Sequence, residues 1–244
     1  MRCSLTAIIV ICATAAIAAQ WSNVPVAGPK HADGSPNLTA AAPRTADGTP
    51  DLSGVWRPDR NQQCPPDGCP DNQMSEQFLD LGWGMQGGLP YQPWAAERVK
   101  ARMAKAGSDD PTSHCFPGGI VRLHTYPAFN KIVQTPALIV ILSERETTYR
   151  QIFLDGRPLP KDPLPTWKGY SVGHWEGDTL VAESSGFRGD DLWLDRKGSP
   201  LSDAATITER IRRVSYGRLE TQLTVSDPRS EEHTSELQSR FGIS

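Results

Sequence analysis

The chain has 244 residues, of which 38% are hydrophobic and 22% charged, and its formal net charge is −3. That is long enough for one good-sized core, and the absence of long like-charge runs argues against nucleic acid or an anionic membrane surface as a partner. Gly and Pro number 21 each, an excess that predicts many turns and ordered loops and few long helices.

The N-terminus comes first. Met1-Arg2-Cys3-Ser4 precedes an apolar run from Leu5 to Ala19. One positive charge, that run and Ala16-Ile17-Ala18 match a secretory signal peptide over residues 1–18. The protein is therefore expected to be secreted or periplasmic. The run is shorter than the ~20 residues that cross a bilayer. No membrane span is expected once the signal is removed. Export implies an oxidising compartment. Cys3 and Cys12 leave with the signal, whereas Cys64 and Cys69 bracket the turn Pro65-Pro66-Asp67-Gly68 and are expected to form a local disulfide. Two cysteines alone make a poor zinc site, so neither a metal nor a cofactor is expected. Cys115 is left over.

Residues 19–50 show neither helix nor strand period and read as a flexible or surface-draped leader. They contain an echo: Ala32-Asp33-Gly34-Ser35-Pro36-Asn37-Leu38-Thr39 against Ala46-Asp47-Gly48-Thr49-Pro50-Asp51-Leu52-Ser53. A single β-rich domain is expected over 51–228, starting at Gly54-Val55-Trp56. Residues 58–92 read as a long loop. One short helix is predicted near 94–106, with Pro93 at its start, Gly107 as a left-handed cap, and Trp94, Val99 and Met103 on its packing face.

Strands follow. Ile132–Gln134, Leu138–Leu142, Thr147–Leu154, Lys168–Trp175, Thr179–Ser184, Ala205–Val214 and Leu219–Val225 are apolar, β-branched or alternating. Glu176-Gly177-Asp178 and Tyr216-Gly217 signal hairpins. The fold class is all-β, a mainly antiparallel meander of about eight strands, with a barrel favoured over a sandwich because closure protects the edges. At the C-terminus, Arg229 to Ser239 matches one reading frame of a common short-read sequencing adapter. On that reading residues 229–244 stand outside the fold, His233 carries no functional weight, and the natural final strands and the partner of Cys115 are missing.

Pro50-Asp51-Leu52-Ser53-Gly54-Val55-Trp56, Asp155-Gly156-Arg157, Gly173-His174-Trp175-Glu176-Gly177-Asp178-Thr179-Leu180-Val181 and Trp193-Leu194-Asp195 resemble motifs of a group of uncharacterised exported bacterial proteins, over roughly residues 46–228. The resemblance supplies no mechanism, and it implies further strands and a late cysteine. Gly54-Val55-Trp56 is also similar to the opening of lipocalin-like barrels, where the tryptophan closes one end.

Alternation places Glu209 on a face with Ala205, Ile207 and Ile211, and Arg150 on a face with Ile152 and Leu154. If both faces are interior, the two charges must pair or meet a polar ligand. Arg150 and Glu209 are thus either a structural ion pair or the polar anchor of a small-molecule ligand. The binding reading is an exported barrel holding an apolar or amphiphilic molecule. The alternative is a carboxylate-dependent hydrolase acting on saccharide-like substrates, with Glu176, Asp178, Asp191 and Asp195 as candidates beside Trp175 or Trp193. His174, Glu176 and Asp178 supply acid–base residue types at a hairpin, though turn chemistry also explains them. Asp190, Asp191 and Asp195 lack the spacing of a calcium loop. His114 beside Cys115 does not make a nucleophile pair, since neighbours in sequence seldom meet the required geometry. Whether the protein is an enzyme stays open at this level, and so does its oligomeric state.

Overall fold

The computed structural model describes residues 27–59, 76–189, 192–231 and 235–243. Cys64, Cys69 and Asp191 lie outside the described residues. The chain divides into two compact units after Asn37. In the first, Lys30 bridges Pro36 around a turn in which the Asp33 carboxylate accepts the Ser35 N–H at 2.9 Å. The echo builds the same object in the second unit: Arg44 bridges Pro50, and Asp47 accepts the Thr49 N–H at 3.3 Å. A shared Ala-Asp-Gly string explains this, since the carboxylate bonds the backbone two residues on and Gly34 and Gly48 take φ of 83° and 86°. The described part of the leader is therefore turned and hydrogen-bonded.

The second unit carries the sheet. In chain order it has β1 (Gly54–Pro58), α1 (Glu76–Leu79), α2 (Pro93–Ala104), α3 (Ile120–Thr125), β2 (Asn130–Gln134), β3 (Leu138–Ser143), β4 (Thr148–Phe153), β5 (Tyr170–Glu176), β6 (Thr179–Ser185), β7 (Thr206–Ser215), β8 (Arg218–Ser226) and β9 (Ser235–Ile243). Strands β1 to β8 pair in sequence order into a curled half-barrel, and β9 pairs with both β8 and β1 to complete the ring. The fold is all-β with few helices. No helix among the described residues is long and apolar enough to cross a membrane. Sequence reading set residues 229–244 aside, yet Ser235–Ile243 lies as a strand between two edges. Strand pairing uses main-chain groups, so an open edge accepts almost any extended segment.

Alternation fixes which side chains face inward. Leu219, Thr221, Leu223 and Val225 are buried along β8, and Ile207, Glu209, Ile211 and Arg213 along β7. Both two-residue hairpins form as expected, with Glu176 opposite Thr179 and Ser215 opposite Arg218. The meander breaks once: β4 and β5 run parallel and share just two register pairs, Ile152 with Ser171 and Phe153 with Val172. The cause is the connection. Residues 154–169 contain Pro158, Pro160, Pro163 and Pro165, and a long proline-rich crossover returns the chain in the same direction where a tight turn would reverse it.

The interior holds a packed cluster that includes Leu52, Trp56, Ile139, Ile152, Leu180 and Ile211. Trp56 is buried, donates Nε1–H to the Leu52 carbonyl at 3.0 Å, and lies under the Arg213 guanidinium at 4.9 Å. Helix α3 is buried on every side and contributes Leu123 to this cluster. Helix α2 sits where the sequence places it, with left-handed backbone at Ala106 and Gly107. Its packing face differs. Ala95 and Val99 are buried, four residues apart, while Trp94 and Met103 are exposed. Arg102 lies over the Trp193 ring at 4.6 Å and donates to the Gly198 carbonyl at 2.7 Å. That contact places the face one residue before Met103.

Candidate functional site

Period-two alternation brings Arg150 and Glu209 together. Arg150 Nη1 donates to Glu209 Oε1 at 2.8 Å, and Nη2 donates to Oε2. The remaining Arg150 bonds go to hydroxyls: Nε to Ser171 at 3.1 Å and Nη2 to Ser184 at 3.0 Å. Helix α3 adds His124, whose Nε2 lies 2.6 Å from Glu209 Oε1. Burial alone would raise the Glu209 pKa. The Arg150 charge and the His124 contact outweigh it and bring the carboxyl down to about 2. Glu209 is thus an ionised, fully bonded group joining β4, β7 and α3.

A cleft of about 710 Å³ opens where β4 and β5 part. The pairing of these strands is too short to seal the wall, and residues 157–169 form the opposite bank. Tyr149, Phe153, Trp167 and Tyr170 supply aromatic surface, and Pro158 and Pro160 add rigid apolar edges. Arg150, Arg157 and Lys168 are the cations of the lining, and none of its described lining residues is a carboxylate. Glu209 answers Arg150, and Asp155 answers Arg157 through Nε–Oδ1 at 2.9 Å and Nη2–Oδ2 at 2.5 Å.

Lys168 differs from both. It is 9% exposed, and its Nζ donates to the Gly118 carbonyl at 2.9 Å. No carboxylate lies within ion-pair distance of it among the described residues. Burial pulls its pKa down; Glu146 opposes this at longer range, Arg150 and Arg145 add to it, and the amine ends at about 8. Glu146 is held in place, accepting the Gly118 N–H at 2.7 Å and Arg145 Nε at 2.8 Å. Backbone strain marks the same corner: Glu146 and Thr147 have φ of 61° and 49°. Left-handed backbone is uncommon for any side chain and an outlier for a β-branched one, and such strain concentrates at working sites.

The described hydrolase candidates, Glu176, Asp178 and Asp195, do not gather there. Glu176 and Asp178 sit on the exposed β5–β6 hairpin, where Glu176 accepts Arg210 at 2.8 Å and Asp178 accepts Arg44 at 2.8 Å. Those bonds hold both carboxyls below their ordinary values. Asp195 is buried elsewhere, accepting the N–H groups of Leu81, Gly198 and Ser199 and the Ser199 hydroxyl at 2.7–3.0 Å. Burial nevertheless pushes its pKa up. It works as a brace between two loops. His174 lies 3.3 Å from Glu176 on the exposed hairpin. Cys115 is exposed with no disulfide partner among the described residues. No group of three or more metal-ligating side chains occurs among them either.

Sequence alternation turns Arg150 inward, but it does not single out Lys168, Trp167 or the strained Glu146-Thr147 pair. One signal was present: a lysine and a tryptophan directly after a proline-rich connection, where a strand has no hairpin to hold its start. Comparison with family models, with curated proteins and with solved structures returns no match for this chain.

Proposed function

We propose that the protein is an exported small-molecule-binding protein whose ligand lies in the β4–β5 cleft. The ligand is amphiphilic: a flat or apolar body against Trp167, Tyr149 and Tyr170, and a polar, electron-rich end toward Lys168 and Arg150. The observation that carries this reading is a cleft of about 710 Å³ with aromatic walls, no carboxylate among its described lining, and a buried lysine with no ion-pair partner among the described residues. Ligand sites of this size typically combine apolar walls with a few fixed polar groups. Export rests on the apolar run that follows Arg2. Of the two roles open to Arg150 and Glu209, the structural ion pair serves the cleft as well: their mutual bonds hold β4 so that the cleft keeps its shape.

The test uses anilinonaphthalene sulfonate, an amphiphilic anion that brightens in apolar sites. Tyr149 is 65% exposed, so Tyr149→Ala changes stability by no more than about 0.5 kcal/mol. Losing one aromatic wall is expected to weaken binding roughly tenfold, at about 1.4 kcal/mol per decade. Equal affinity in the wild type and Tyr149→Ala overturns the reading.

A further inference from the structure

We infer that Lys168 captures the ligand covalently, and that the ligand class is an aromatic or apolar aldehyde or ketone held as an imine. This deepens the cleft reading and rests on it. The geometry is that of a nucleophilic amine. Lys168 lines the cleft two residues before β5, is nine-tenths buried, and among the described residues is held by one bond to a backbone carbonyl, Gly118 at 2.9 Å. A carboxylate partner would keep it an ammonium, and none lies within ion-pair distance among the described residues. Its neighbours in charge are Arg150 and Arg145, which favour the neutral amine, and Glu146, whose oxygens are occupied by Gly118 and Arg145. Desolvation beside other cations is how proteins activate lysine amines toward carbonyl compounds. With the amine at about 8, roughly a tenth is neutral at pH 7 and about half at pH 8, against well under one part in a hundred for an ordinary lysine.

The step balances without a further reagent. The ammonium first releases a proton to solvent. The Nζ lone pair attacks the carbonyl carbon, forming the C–N bond, and the carbonyl oxygen leaves as water with the two hydrogens of the amine. No atom is oxidised or reduced, and water reverses the reaction, so the ligand is held and then released.

Para-formylbenzoate presents an aromatic body and an aldehyde, and cyanoborohydride freezes its imine as a stable secondary amine. The full chain is treated with both, digested, and mapped by mass spectrometry. Lys168 is expected to label at least about tenfold faster than exposed lysines such as Lys105 and Lys131 at pH 8, given the difference in neutral fraction. Lys168→Arg, which keeps the positive charge and a donor for Gly118, is expected to lose that label. Para-toluate, the same body without the aldehyde, separates the two claims. If it binds the wild type and Lys168→Arg alike while labelling passes over Lys168, the imine is overturned and the cleft reading stands. If it binds neither and Lys168 stays unlabelled, both are overturned.

Discussion

At the scale of single residues, the interior turns on one ion pair. Arg150 and Glu209 are both buried and satisfy each other's charge. Removing one partner strands the other, which typically costs about 3–5 kcal/mol, whereas replacing both with apolar groups of similar volume is often neutral. Arg150→Met and Glu209→Leu are each expected to lower the denaturant midpoint sharply, while the double variant Arg150→Met, Glu209→Leu recovers much of the loss. Additive losses would show that the pair does not act as a unit. Glu209 also sets an acid limit: with its folded pKa near 2 against an ordinary 4.5, its contribution is complete above about 4.5 and disappears as pH falls toward 2.

Lys168 has the opposite sign. Its folded pKa of about 8 lies below the ordinary 10.5, so between those values the unfolded chain binds the extra proton. Its burial therefore costs stability at and below pH 8, and the cost fades as pH rises toward 10.5, by a total on the order of 3 kcal/mol. Lys168→Met should be more stable than the wild type at pH 7, with the gap narrowing at pH 10. A gap independent of pH would contradict the burial of an activated amine.

At the scale of elements, two glycines with similar backbone predict different outcomes. Gly169 has φ of 60°, and a Cβ there would lie 2.5 Å from the Ser185 carbonyl oxygen and 2.8 Å from the Phe187 ring. Gly177, in the β5–β6 turn, has φ of 57° with nothing within 4 Å. Gly177→Ala costs only the left-handed backbone, about 1 kcal/mol. Gly169→Ala adds overpacking and is expected to cost roughly 3 kcal/mol or more, while moving Lys168 beside it. Thermal melts of the two variants check this, and equal shifts would show that β5 does not begin against Phe187. The same contrast shows what a sequence discloses. Gly177 announces its turn because Glu176-Gly177-Asp178 acts through local backbone chemistry. Gly169 announces nothing, because its constraint comes from Phe187 and Ser185, residues brought to it by the fold.

At the scale of the molecule, the strands were legible and the cleft was not. Leu219 to Val225 and Ala205 to Val214 alternate because one face is buried, and that alternation also placed Arg150 and Glu209 inside. The parallel return from β4 to β5 follows from residues 154–169, which have no period to read. The wall parts at that return, so Trp167 and Lys168 came to line the cleft through a topological break. Met103 was misplaced for a related reason: the stripe on α2 depends on where Arg102 finds Trp193, which lies far along the chain. The central claim is that this break in the wall is where a ligand lies. Hydrogen–deuterium exchange with and without saturating anilinonaphthalene sulfonate tests it most directly. Added probe is expected to slow exchange in peptides covering 147–153 and 157–172 and to leave β7 and β8 unchanged. Protection confined to other surfaces, such as the exposed aromatic residues near Trp83 and Trp94, would contradict it.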